Sequence, residues 1–252
     1  MNTVLIGMGG LREAVENICA NKGMYAHCSV KVPDFIVKVD PGNGQSTVLH
    51  YITESFKENK IRSFRSLDDC LEMKLDGTLS QLRMVMASIR DHAVYTNYYE
   101  GLVGMDISAL AEHINEAQIG VFLEEVKELS KNTTFVFFVP EKVTKNMQML
   151  IDKLNKALDE HVLNFEAHEY SEDELAMIVE NAVYEFGISV DGAEDFRAAM
   201  QEVIVERQIK NAKDAADLAE KAIRYADYSG FDPVLSGEMV KNGMVKKGGM
   251  EK

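Results

Sequence analysis

The chain has 252 residues, 46% of them apolar and 27% charged, enough to bury one large core or a core with a smaller companion. Forty-one acids against 27 bases leave a net charge of −14, which disfavours non-specific binding to nucleic acid or an anionic membrane, since both need basic surface. No apolar run approaches the roughly 18 residues that a transmembrane helix requires, and Met1-Asn2-Thr3-Val4-Leu5-Ile6 lacks the basic start and the length of a signal peptide, so a cytoplasmic location is expected.

In chain order, Val4-Leu5-Ile6, a first strand candidate, leads into Gly7-Met8-Gly9-Gly10, after which Leu11, Ala14, Val15 and Ile18 recur at helical spacing and predict an amphipathic helix over 11–21. Phe35-Ile36-Val37-Lys38-Val39 is almost continuously apolar, as a parallel strand buried on both faces would be. It ends in Asp40-Pro41-Gly42-Asn43-Gly44-Gln45-Ser46-Thr47, and Val48, Leu49, Ile52 and Phe56 then share one helix face. A short extended piece is expected around Ser63–Leu67. A long helix is expected over 78–95, and a Met-rich helical stretch is read over 73–86. Leu102–Asp106 is a third apolar run closed by an acid, 114–131 a helix, Thr134–Val139 the most strand-like segment, 145–158 a helix and Val162–Phe165 a short strand. Such alternation predicts a mostly parallel sheet with helices on both faces.

After Tyr170 no further strand is expected. Ser171-Glu172-Asp173-Glu174 has the form of a capping box that opens a helix, and two more helices are predicted near 191–206 and 211–227. The expected organisation is an α/β core over 1–169, a helical subdomain over 170–230 and a flexible tail over 231–252. Within the tail, Met239-Val240-Lys241-Asn242-Gly243-Met244-Val245-Lys246 reads either as plain flexible chain or as a docking peptide that orders on a partner.

Cys19, Cys28 and Cys70 are scattered, with no CxxC spacing, and read as small hydrophobes rather than a disulfide or zinc framework. The six histidines form no ligand cluster.

The segment that carries chemistry is Val39–Thr47. A phosphate-binding loop needs GxxxxGK[ST] between a strand and a helix: loop N–H groups and the helix N-terminus hold phosphate oxygens, the Lys neutralises charge and the hydroxyl helps to hold Mg²⁺. The context, Gly42, Asn43, Gly44, Ser46 and Thr47 fit. Val39 stands where the first Gly belongs, Gln45 stands where the Lys belongs, and Asp40 adds a negative charge. Losing a partly buried cation of this kind removes about 2–5 kcal/mol of binding. Two readings stand side by side: a residual nucleotide site that holds ATP or ADP with Mg²⁺ weakly, and a glycine-rich turn with no ligand.

The whole order of elements resembles the AAA+ ATPases, closest to the CbxX/CfqX group with its rubisco-activase-like and sporulation-associated members, over about Gly7 to Tyr228. Gly10-Leu11-Arg12-Glu13-Ala14-Val15 resembles that group's N-terminal helix, and Pro41-Gly42-Asn43-Gly44 its PPGTGKT loop. Gly101–Ile107 resembles the Walker B strand, so the resemblance assigns Asp106, with Ser46, to the Mg²⁺ side and puts Ile107 where the catalytic Glu belongs. Phe138-Val139-Pro140 matches the sensor-1 strand without its polar residue. Glu169–Leu175 resembles the start of the lid, and Asn211-Ala212-Lys213-Asp214 the sensor-2 motif, with Lys213 for Arg. For an arginine finger only Lys153 and Lys156 stand nearby. The phosphate Lys and the water-orienting Glu are replaced together, so the resemblance implies lost or very slow hydrolysis. It also implies a homo-oligomer, or assembly with an active AAA+ relative, serving as a scaffold; the alternative is a slow ATP-hydrolysing remodelling protein. Protein partners are expected, and neither membrane nor nucleic acid. On the residues alone, Asp106 reads equally as a helix cap and Lys213 equally as a solvated charge. The rival reading, a dinucleotide fingerprint at Gly7-Met8-Gly9-Gly10, lacks its third glycine, where Arg12 stands, and places Asp40 too far along for the ribose.

Overall fold

The computed structural model describes residues 3–27, 30–61, 70–75, 78–95, 101–110, 115–131, 133–225 and 234–239. The chain divides into two compact units, Met1–Pro41 with Gln45–Ala167, and Gly42–Gly44 with His168–Lys252.

The first unit is built on five strands: β1 (Asp34–Lys38), β2 (Cys70–Lys74), β3 (Leu102–Asp106), β4 (Thr134–Val139) and β5 (Val162–Glu166). They pair in the order β2-β3-β4-β1-β5, every pair parallel. Around them run α1 (Gly9–Ala20), α2 (Lys22–His27), α3 (Gln45–Glu58), α4 (Leu79–Tyr95), α5 (Glu116–Leu129) and α6 (Lys145–Ala157). Successive strand residues face opposite sides, and each side has its own core. Ile36, Val103, Met105, Phe135, Phe137 and Val139 join residues of α4, α5 and α6 in one cluster. Phe35, Val37, Leu102, Val136 and Phe138 join residues of α1 and α3 in the other. Every residue of β3 and β4 is buried, as near-continuous apolar runs in a covered parallel sheet should be.

One close approach sets how α3 lies on the sheet. A Cβ at Gly104 would stand 2.6 Å from Leu49 Cδ2, so only glycine lets Leu49 reach the β3 backbone. At the N-terminal edge of the sheet Asp34 is fully buried. Its Oδ1 accepts the Phe135 N–H at 2.8 Å and its Oδ2 the Lys31 ammonium at 2.7 Å, so β1 and β4 are tied by a charged hydrogen bond.

The second unit contains α7 (Glu172–Glu185), α8 (Ala193–Arg207) and α9 (Ala212–Tyr225), with a two-stranded parallel ribbon of β6 (Ser189–Asp191) and β7 (Val234–Ser236). Its core is rich in small residues, among them Ala176, Ala182, Ala199, Ala215, Ala219 and Ala222, around Phe196 and Met200. The capping box at Ser171 forms: Ser171 Oγ accepts the Glu174 N–H at 3.2 Å and Glu174 Oε2 accepts the Ser171 N–H at 2.9 Å.

Four expectations need correction. Strands do not stop at Tyr170, because β6 and β7 follow. Val234–Ser236 is not flexible tail: it pairs with β6, and Leu235 is fully buried; residues 240–252, most of the docking-peptide reading, lie outside the described residues. Met73 is not helical but stands on β2, since α4 begins only at Leu79. Val4-Leu5-Ile6 is not a strand; Leu5 packs as a core anchor ahead of α1, which removes the strand that the dinucleotide reading requires. The extended piece at Ser63–Leu67 lies outside the described residues. Cys19 is buried, and that burial raises its thiol pKa, in keeping with a small hydrophobe.

Candidate functional site

Open parallel sheets present their binding crevice beyond the carboxyl ends of the strands, and residues 39–47 leave that end of β1. The sheet ladder continues one residue past β1, with the Val39 N–H on the Val139 carbonyl at 2.8 Å. Asp40 then turns sideways, its Oδ1 accepting the Glu141 N–H at 3.1 Å. Gly42 and Gly44 adopt φ of +91° and +93°, the left-handed region that glycine enters without strain.

At Gln45 α3 begins. Its amide Nε2 donates to the Val39 carbonyl at 3.3 Å, closing the loop with the side chain that stands in place of the Lys. Ser46 Oγ, on the Mg²⁺ side of the motif, donates to Glu72 Oε1 on β2 at 2.9 Å. Thr47 is exposed in the first turn. The N–H groups of Gln45, Ser46 and Thr47 have no acceptor within their own helix, Gly44 has no side chain to cap them, and the first turn carries no acid. That helix end is electrostatically suited to an anion.

Beyond β3, Asp106 is buried, 6% exposed. Its Oδ1 accepts the Ser108 N–H at 3.0 Å, so it caps the turn after the strand. Ile107, at the position assigned to the catalytic Glu, is fully buried within the core on the α4–α6 side. Val139 ends β4 within the same core. Lys153 is held by Glu116 at 3.0 Å and Lys156 is exposed. Among the described residues, no three His, Cys, Asp or Glu side chains gather to hold a metal ion.

In the second unit, to which Gly42–Gly44 belong, three hydrogen bonds converge on the loop tip. Tyr170 Oη donates to the Asn43 carbonyl at 3.0 Å, the Ala212 N–H to Asn43 Oδ1 at 3.4 Å and the Lys213 N–H to the Gly42 carbonyl at 2.9 Å. The Lys213 stem lies alongside Gly42, its Cβ 3.5 Å from where a Gly42 Cβ would stand. Asn211 Oδ1 accepts the Asp214 N–H at 2.8 Å and caps α9. Burial pushes the Glu174 carboxyl up, but hydrogen bonds from the Ser171 backbone and hydroxyl and from His168 outweigh it and hold the pKa below the ordinary value.

Sequence reasoning missed Tyr170 as a loop contact, Glu72 as the partner of Ser46 and Asp34 as a buried tie. Tyr170 carried a signal, standing at the head of the lid motif. Glu72 and Asp34 carried none, because Ser46 lies 26 residues from Glu72 and Phe135 lies 101 residues from Asp34 in the chain.

No family model matches the chain, and no curated protein matches it. Solved structures do. RuvB of Thermotoga maritima, the Holliday junction branch migration motor, superposes with a TM-score of 0.55 at 12% identity, covering 96% of this chain and 70% of that one. Two single-residue mutants of the same protein superpose with a TM-score of 0.57 at 12% and 13% identity, covering 97% and 96% of this chain and 71% and 70% of theirs. At this identity the likeness establishes the fold: a parallel five-stranded α/β core of the AAA+ type. Among the described residues no helix is long and apolar enough to cross a membrane.

Proposed function

We propose that this chain is an AAA+-fold scaffold or adaptor of the CbxX/CfqX kind. In this reading residues 1–169 form a nucleotide-binding-like core, 170–230 a lid, and 231–252 a tail apart from β7. It binds Mg-ATP weakly or not at all and assembles with itself or with an active AAA+ relative. The observation that carries the reading is Gln45. Its neutral amide donates back to Val39 within the same loop, so the position brings no charge to a triphosphate. Glu72 at Ser46 and the buried apolar Ile107 point the same way. Residues Gly42–Thr47, Asp106 and Lys213 are then relics of a nucleotide site, with Asp106 kept as a turn cap.

Calorimetric titration of the full chain with Mg-ATP tests this. No saturable binding is expected below about 1 mM, and Gln45→Lys is expected to tighten binding roughly tenfold or more. Micromolar affinity with steady turnover in the unaltered chain would overturn the reading. Light scattering should report an oligomer in the absence of nucleotide.

A slow ATPase is the second reading, favoured by the Lys213 stem beside Gly42. It requires a hydrolysis rate that falls in both Asp106→Ala and Lys213→Ala. The expectation of no nucleic-acid partner draws no support from the comparison, because the matched motor is named for Holliday junctions; it rests on the net charge of −14 alone. A gel-shift assay with a four-way junction decides it, and retention of the junction at physiological salt would end it.

A further inference from the structure

The first turn of α9 leaves three backbone N–H groups without acceptors inside the helix, and each has a partner. Ala212 donates to Asn43 Oδ1, Lys213 to the Gly42 carbonyl and Asp214 to Asn211 Oδ1. The positive end of that helix is therefore filled by carbonyl oxygens of the chain itself. Tyr170 adds a fourth bond, to the Asn43 carbonyl.

We propose that Gly42–Gly44 is an internal ligand of the second unit: a latch in which Asn43 stands where an anion would otherwise neutralise the α9 N-terminus, so that the loop tip is ordered without nucleotide. Asn43 suits this role because its short side chain carries an acceptor, and Gly42 because its φ of +91° turns the chain so that its carbonyl meets Lys213. The latch deepens the proposed function and rests on it for one consequence only, that no ligand competes for these groups in use.

Hydrogen exchange on the full chain without nucleotide, resolved at single amides, tests it. Ala212 and Lys213 should exchange on the order of tenfold more slowly in the unaltered chain than in Asn43→Ala/Tyr170→Phe, while Asp214, held by Asn211, stays unchanged. Asn43→Asp keeps the acceptor and should retain the protection. Equal exchange at Ala212 in the unaltered chain and the double variant overturns the latch. Should the double variant unravel, with Asp214 exchanging as fast as its neighbours, the unaltered chain and Asn43→Asp decide: unprotected Ala212 in both overturns it. Adding Mg-ATP separates the two ideas. Tight binding with these amides unmoved defeats the weak-binding reading and leaves the latch standing. Binding that instead frees Ala212 and Lys213 shows nucleotide competing with the loop: it defeats the weak-binding reading and the consequence that no ligand competes, and it leaves the ligand-free latch standing.

Discussion

At the N-terminal edge of the five-stranded sheet, Asp34 is wholly buried and holds the Phe135 N–H and the Lys31 ammonium. At the C-terminal edge, Asp40 is half-buried and Asp106 is 6% exposed; each accepts a backbone N–H, from Glu141 and Ser108. The residue type is the same and the role differs. Asp34 lies where water cannot replace a lost partner, so its bonds hold two central strands together. Asp40 and Asp106 shape turns at the end where parallel sheets carry their binding crevice. One edge is thus built for stability. At the other, Gln45, Ser46 and Asp106, side chains that a nucleotide site would use, are bonded to the chain's own groups.

The sharpest way to break that contrast is Asp34→Ala. It leaves the buried Phe135 N–H without this acceptor, while the partly exposed Lys31 ammonium turns to water, and a loss of about 3 kcal/mol is expected, read as a lower midpoint in urea unfolding. A loss no greater than that of Asp106→Ala would erase the distinction between the edges. Gly104→Ala comes next. It drives a Cβ into Leu49 and should cost about 1–3 kcal/mol; a double-mutant cycle with Leu49→Ala should recover part of that loss. For Asp106→Ala the loss of one cap bond predicts about 1 kcal/mol, with Asp106→Asn nearly neutral because its amide oxygen can still accept from Ser108.

An acid of the second unit gives the smallest effect and a pH axis. The Glu174 pKa lies below its ordinary value in the folded chain, so its contribution is fully present above the ordinary carboxylate pKa. It is lost as the pH falls through the lower folded value. Glu174→Gln should therefore differ in stability from the unaltered chain at neutral pH, and the two should converge in acid. Parallel unfolding curves at every pH would remove Glu174 as the origin of that slope.

Much of the fold was legible because its strands are buried on both faces. Leu102–Asp106 and Thr134–Val139 form strands over those same residues, since a short, mostly apolar run between turns suits a strand covered on both faces. The Ser171 capping box was equally plain, because its two reciprocal bonds join residues only three apart in the chain. β2 was not legible: Cys70-Leu71-Glu72-Met73-Lys74 is an edge strand with Glu72 and Lys74 exposed, and its few apolar residues merge with the pattern of the helix that follows. β6 and β7 are three residues each and exist only through pairing across a long stretch of chain, which no local window registers.

The candidate site divides in the same way. Residue identity was enough to establish that position 45 carries no charge and position 107 no carboxylate, because charge and functional group belong to the side chain wherever it lies. Only the tertiary structure decided where those groups turn: Gln45 to Val39, Ser46 to Glu72, Asn43 to the head of α9. Each of those bonds joins a donor and an acceptor that folding alone brings within about 3 Å of one another, the reach of a hydrogen bond.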